Sequence, residues 1–397
     1  MRLFGENMNN TRGRLLQLFA PTVLCFFLTL PVVAQSTPCF TEVDSSTGGA
    51  IGTAGRMALA DFNRDGILDI VQTHVYNNRK VSTDLGVGDG HLQLDFQYST
   101  NLPRDVVSGD FNNDGIPDVA VAAEVPGLNA GKVWVLLGNG DGTLRPTANI
   151  QLPYNGERIK AADFNGDGKL DVVIQAANFS PPDTVQVLLG NGDGTLQAPT
   201  VIDNQPGYPQ ALAVGDLNGD GKMDVLTLSQ SSSDEFLSVL LGNGDGTFAP
   251  AVEYLPTNGN NDQLALADFN EDGLMDVAFG GFDATIMYGT GGGALGPSVD
   301  LGVEASAVVA MDVLNSGHKD LVVLTSVGTQ GRQSALGVLI NDGHGNFAPV
   351  VNIKTHFRAP LNLYAGDFNG DGSGDVAAEY LEQAADNGVF LNCSNSK

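Results

Sequence analysis

Basic residues are scarce in this chain. Its 397 residues include 19 Lys and Arg against 46 Asp and Glu, a formal charge of −27. Nucleic-acid binding depends on neutralising phosphates with Lys and Arg, so that partner class is excluded, and anionic membrane surfaces are disfavoured for the same reason. Histidine is also rare. The five, His74, His91, His318, His344 and His356, share no repeat position and fall in no metalloprotease or hydrolase motif. No Gly-x-Ser-x-Gly element occurs, and no pattern reads as a convincing helix. The single Trp134 lies in an apolar run and reads as core rather than as a sugar-stacking platform.

Of three cysteines, Cys25 lies inside an early apolar run, while Cys39 and Cys393 stand near the two ends. The one extended apolar run, 21–33, is too short to span a bilayer comfortably. With Arg2, Arg12 and Arg14 before it and Val32-Val33-Ala34 after it, residues 1–34 read as a secretory signal, with an uncleaved anchor as the alternative. Loss of its three Arg and one Glu would take the formal charge from −27 to −29. Export permits a disulfide.

Aspartate is what the chain has in abundance, in a pattern. Six copies of Asp-x-Asn-x-Asp-Gly-x-x-Asp occur: Asp61, Asn63, Asp65 and Asp69; Asp110, Asn112, Asp114 and Asp118; Asp163, Asn165, Asp167 and Asp171; Asp216, Asn218, Asp220 and Asp224; Asp268, Asn270, Asp272 and Asp276; Asp367, Asn369, Asp371 and Asp375. A seventh, Asp312 to Asp320, keeps its end carboxylates but has Leu314 and Ser316 at the two middle ligand positions. Successive first Asp residues are 49, 53, 53, 52, 44 and 55 apart, the mark of one supersecondary unit repeated. Ca²⁺ takes about 6–8 oxygens, and side chains at positions 1, 3, 5 and 9 of a short loop can supply them, with the position-7 carbonyl and water. Glycine at position 6 (Gly66, Gly115, Gly168, Gly221, Gly273, Gly372) allows the sharp turn. An EF-hand would need Glu at position 12, where Gln72 and Ile174 stand, and helical flanks. Here the flanks are short β-like runs, so each loop is expected to join two strands. About six Ca²⁺ ions per chain are expected. The 18 Asp of these loops explain much of the acidity.

Each repeat carries four short strand signals: a run such as Met57-Ala58-Leu59-Ala60, a run after the loop such as Asp118-Val119-Ala120-Val121, a third such as Val133-Trp134-Val135-Leu136-Leu137, and a fourth from Leu144, Leu196 or Phe248. The predicted fold is all-β, a seven-bladed β-propeller of four-stranded blades over residues 35–397. Gly138-Asn139-Gly140-Asp141-Gly142 and its copies at 190–194 and 242–246 read as hairpin turns rather than further cation sites. Repeat seven stops after its third strand signal, Val389-Phe390-Leu391, while Phe40-Thr41-Glu42-Val43 matches the missing fourth. The N-terminal strand should therefore close the ring, bringing Cys39 beside Cys393.

These Asp-Phe-Asn-x-Asp-Gly-x-x-Asp loops and their period resemble FG-GAP/VCBS-type repeats, similar to the calcium-binding β-propeller of integrin α-subunits. The resemblance covers nearly the whole chain after residue 34. It implies seven blades with calcium in the loop joining each blade's first two strands. The degenerate sixth loop departs from it, and no integrin-like stalk or membrane segment follows, so receptor function does not transfer.

Three functional classes stay open: a secreted, periplasmic or cell-surface binding module for carbohydrate or an extracellular protein, an extracellular polysaccharide-degrading enzyme, and a structural envelope-associated protein. A monomer is expected. For a ligand site, Arg56, Arg104 and Arg158 stand five or six residues before a loop's first Asp, with Tyr154, Tyr208 and Arg358 in comparable segments. Converging guanidinium groups would suit a carboxylate or sulfate. Alternatively these Arg only offset nearby carboxylates.

Overall fold

The computed structural model of the chain describes residues 37–46, 54–75, 79–178, 182–205, 207–231, 234–256, 263–327, 333–355, 360–380 and 386–394. The proposed signal, 1–34, and Arg358 lie outside the described residues. Among the described residues, seven antiparallel sheets follow one another in chain order. Their innermost strands are Ala54–Ala60, Leu102–Gly109, Asn155–Ala162, Tyr208–Gly215, Leu264–Ala267, Ala307–Met311 and Pro360–Gly366, here numbered blades 1 to 7. Blade 3 shows the plan: Asn155–Ala162, Asp171–Ala177, Asp183–Leu188 and Thr200–Gln205 pair in sequence order, inner edge to outer.

Second strands are buried along most of their described length, and Asp171–Ala177 along all of it, because each sheet is covered on both faces by neighbouring blades. The apolar clusters accordingly lie between blades. One joins Val135 and Leu137 of blade 2 to Ile159, Ile174 and Leu188 of blade 3. Another joins Met57 and Ile70 of blade 1 to Phe368, Ala377 and Val389 of blade 7, which closes the ring. Trp134 packs edge-on against Tyr98, 6.2 Å between ring centroids, in the cluster shared by blades 1 and 2.

Blade 7 is completed by the chain start. Phe40–Ser46 pairs antiparallel with Asp386–Asn392 in the register Phe40↔Asn392 to Ser46↔Asp386. A disulfide joins Cys39 to Cys393, with their Cα atoms 5.0 Å apart, and the Cys393 amide donates to the Cys39 carbonyl at 3.0 Å.

Fourth strands depart from expectation. Leu196 and Phe248 form single bridges to Gly190 and Gly242, and the strands themselves begin later, at Thr200 and Val252. Pro199 and Pro250 intervene, and a residue without an amide hydrogen interrupts the ladder. In blade 2 the fourth position is two short strands, Leu144–Pro146 and Ile150–Leu152. Blade 5 adds a small hairpin, Gly289–Gly291 with Ala294–Leu295, before its outer strand Val299–Asp300.

Candidate metal centres and the channel

All seven Asp loops are hairpin connections of one form. The flanking pairs are Ala60↔Asp69, Gly109↔Asp118, Ala162↔Asp171, Gly215↔Asp224, Ala267↔Asp276, Met311↔Asp320 and Gly366↔Asp375. Position 6 is left-handed in each, from Gly115 at φ 79 to Gly317 at φ 92. Position 4 is left-handed too, and there Arg64, Asn113, Glu271 and Asn315 accept a conformation that favours glycine. That second turn had no sequence signal beyond the glycines of blades 3, 4 and 7.

Side chains at positions 1, 3 and 5 wrap the loop from inside. Asp61 accepts the amides of Asp65 at 3.0 Å and Gly66 at 2.9 Å, one on each oxygen. The Asn63 Oδ1 also accepts the Asp65 amide, and Asp65 accepts the Ile67 amide at 2.8 Å. Position 9 does something else. Asp69 is fully buried, with one oxygen accepting the Phe62 amide and the other the Gly86 amide, both at 2.8 Å. It thereby ties the loop to the end of the third strand. The other position-9 Asp residues repeat this, as Asp171 does with Phe164 and Gly190. Among the described residues no three His, Cys, Asp or Glu side chains are gathered into a group that could hold a metal ion. The donor set nevertheless matches a hard cation in kind: three carboxylates and one carboxamide oxygen, without nitrogen or sulfur.

Electrostatics point the same way. Burial pushes Asp69, Asp118 and Asp375 up to about 6, against several backbone hydrogen bonds, and neighbouring loop carboxylates add to the rise. Asp171, Asp224 and Asp276 are raised from the same causes. A nearby cation is the group that would relieve such strain. In blades 3 and 4 position 7 is lysine, and its ammonium sits 3.3 Å (Lys169–Asp167) or 3.5 Å (Lys222–Asp220) from the position-5 carboxylate.

The degenerate loop keeps the backbone without the middle ligands. Asp312 accepts the Ser316 and Gly317 amides, and Asp320 accepts those of Val313 and Asn341. His318 pairs with Glu271 of the blade 5 loop.

The Gly-Asn-Gly-Asp-Gly turns serve the loops of the preceding blade. Asp141 caps its own turn, accepting the Thr143 amide and hydroxyl. Gly142, Gly194 and Gly246 donate to the carbonyls of Phe62, Phe111 and Phe164 in the neighbouring blade.

Along the inner strands, a central cavity of about 360 Å³ is lined by residues from all seven blades, among them Lys160 and Tyr364 and, toward the end away from the Asp loops, Arg56, Asp105, Arg158 and Gln263. Five inner strands slip register near this end: between Ala54 and Met57, Pro103 and Asp105, Gly156 and Arg158, Pro209 and Ala211, and Pro360 and Leu363. Bulges of this kind re-aim side chains. Arg56 reaches Asn362 of blade 7 at 2.7 Å, and Arg158 reaches the Gln210 carbonyl of blade 4 at 2.5 Å. Arg104, one residue out of step, does not line the cavity; Asp105 does. The Arg104 guanidinium instead pairs with Glu124 at 2.5 Å and lies 3.8 Å from Glu157. Tyr208 is about half exposed and hydrogen-bonds Glu157. Tyr154 is partly buried against the apolar cluster of blades 2 and 3. The sequence-derived set thus separates: Arg56 and Arg158 meet at the cavity, Arg104 and Tyr208 meet around Glu157, and Tyr154 joins the core.

The family model described as FG-GAP-like repeat matches residues 110–174, 163–227, 228–279 and 284–378. The chain belongs to the FG-GAP-like repeat family. Phosphatidylinositol-glycan-specific phospholipase D of Bos taurus is 32% identical over 181 residues, covering 38% of this chain and 21% of that protein. T-cell immunomodulatory protein of Rattus norvegicus is 26% identical over 305 residues, 68% of this chain and 48% of its own length. The FG-GAP chain therefore spans about a fifth to a half of these relatives. Among solved structures, BBS1N in complex with ARL6DN aligns with a TM-score of 0.59 at 15% identity, over 90% of this chain and 97% of that one. The Dos1 propeller aligns at 0.52 and 13% identity, over 82% and 76%. At such identities the likeness is one of fold.

Lys160 and Asp105, missed in the sequence, could have been found by counting strictly. Both face the channel because Asp105 stands five, and Lys160 three, residues before its loop's first Asp.

Proposed function

We propose that this FG-GAP propeller is an exported, calcium-stabilised, non-catalytic module that binds a carbohydrate or an extracellular protein. FG-GAP repeats typically bind Ca²⁺. In each intact loop the Asp, Asn, Asp and Asp at positions 1, 3, 5 and 9 would hold the ion, about six in all, which would neutralise carboxylates that the fold crowds together. The ring-closing disulfide fits an oxidising compartment.

The observation that carries the binding reading is the asymmetry of the two faces. The Asp-loop face is tied together by hydrogen bonds between blades. By chain direction, the opposite face receives Leu128, Tyr208, Leu255 and Phe282, exposed by 57%, 47%, 66% and 71%. Exposed apolar side chains on one face favour an interaction surface there. The match to a phospholipase covers a fifth of that enzyme, so its named activity is not carried over. A glycan array and a cell-surface binding screen, each run with and without Ca²⁺, test the proposal. Calcium-dependent capture of a defined ligand supports it. Turnover of a polysaccharide or phospholipid without retention would replace it with an enzyme.

A further inference from the structure

Lys160 is the one charged residue among those three before a loop's first Asp, four of which line the channel. The residues three before each first Asp are Ala58, Val107, Lys160, Ala213, Ala265, Val309 and Tyr364. Among the described residues the Lys160 ammonium makes no hydrogen bond or ion pair; its electrostatic partner is Asp105. Both Asp105 oxygens are already engaged, one by the Val106 amide at 2.9 Å and the other by the Ile159 amide at 3.0 Å. Two further cations line the same cavity, Arg56 and Arg158. Three cations and one carboxylate, Asp105, thus line the cavity, with Glu157 acting on Arg158 and Glu379 on Arg56 and Arg158 from behind the lining. Behind Asn362 lies Glu379, which burial pushes up to about 7 while the Arg56 charge draws it down.

An ammonium partly shielded from water and without protein acceptors is costly, and a counter-ion lowers the cost. Burial is the main cause of a lowered Lys160 pKa; Asp105 opposes it, and Arg56 and Arg158 add to it. The cavity, about 360 Å³, falls at the small end of ligand pockets. Apart from Gln263 and Tyr364, its remaining lining, such as Leu212, Leu264 and Leu363, is apolar.

We infer that the channel holds a small carboxylate or sulfate anion against Lys160, between Arg56 and Arg158. This rests on the reading of the propeller as a binding module and narrows its ligand to one with an acidic group that enters the channel. The anion comes either free or as the acidic substituent of a sugar.

Calorimetric titration of the full chain in Ca²⁺ with sodium sulfate, sodium glucuronate and neutral glucose tests it. Sulfate and glucuronate should bind and glucose should not. Tighter binding of glucuronate than of sulfate identifies a sugar acid, and the reverse a free anion. Lys160→Met should weaken either anion by about 10- to 100-fold, the loss of a charge-assisted hydrogen bond, while keeping its circular dichroism spectrum. As a second measurement, acylation of Lys160 in the unmutated protein, followed by mass spectrometry, should fall when sulfate is present. No anion binding, equal binding by Lys160→Met, or unchanged acylation overturns the inference. A glycan that binds equally well to Lys160→Met leaves the module reading standing and removes this one. Anion binding lost in Lys160→Met, with no glycan or protein captured, does the opposite.

Discussion

The Gly142 amide of blade 2 donates to the Phe62 carbonyl of blade 1 at 3.2 Å. The Phe62 amide in turn donates to Asp69 of its own loop. One residue, Phe62, therefore ties an Asp loop to the next blade, and what steadies a loop steadies the ring.

Removing calcium should therefore lower the stability of the whole propeller in one transition. With ~1 mM Ca²⁺ and a Kd of ~0.1 mM, in the range of extracellular modules, each site contributes about 1.4 kcal/mol. Six independent sites would give up to about 8 kcal/mol, comparable to a domain's net stability. Excess chelator should lower Tm substantially; an unchanged melting curve refutes the role. Metal analysis should find about six ions, one fewer in Asp163→Ala and the same number in Asp312→Ala.

Blades 3 and 4 should bind calcium more weakly than the others, because Lys169 and Lys222 lie beside Asp167 and Asp220. Exposed pairs of this kind carry about 0.2–1 kcal/mol. Lys169→Ile should raise the affinity of that one loop by roughly two- to fivefold, read by calcium titration with the remaining sites as internal reference. No change in the Lys169→Ile isotherm counts against the effect.

Reduction of Cys39–Cys393 should destabilise the ring by opening its closure strand. For a sequence separation of 354, loop entropy sets an upper value of about 6 kcal/mol. Thiol titration of the denatured, unreduced chain should find neither cysteine free. The Cys39→Ser, Cys393→Ser variant should melt lower, and an equal Tm would show that strand pairing alone closes the ring.

Glu379 should make stability fall as pH rises. Its folded pKa is raised from 4.5 to about 7, chiefly by burial. A raised folded pKa means the stability is fully present below about 4.5 and is lost as pH climbs through about 7. The differential is about 3 kcal/mol as an upper value. Glu379→Gln keeps an acceptor for Asn362, 2.6 Å away in the native protein. Its stability relative to the unmutated chain should rise across that window and level off above it. Parallel pH profiles would disprove a titrating Glu379.

The repeat count, the Asp loops and the closure of the ring were legible in the chain itself. Each is a local pattern: a period near fifty residues, ligands at fixed offsets, and a missing strand whose copy stands at Phe40. Interruption of the fourth strands was legible in principle from Pro199 and Pro250. The channel was not. Side chains alternate along a strand, so Arg104, six residues before Asp110, faces away from the cavity that Arg56 and Arg158 line at five. Its partner Glu157 is more than fifty positions on, in the next blade. The same holds for Asp105 and Ile159, and for Arg56 and Asn362. Local spacing determined what each blade is; only the packing of blade against blade decided which charges are matched and left Lys160 without a hydrogen-bonding partner among the described residues.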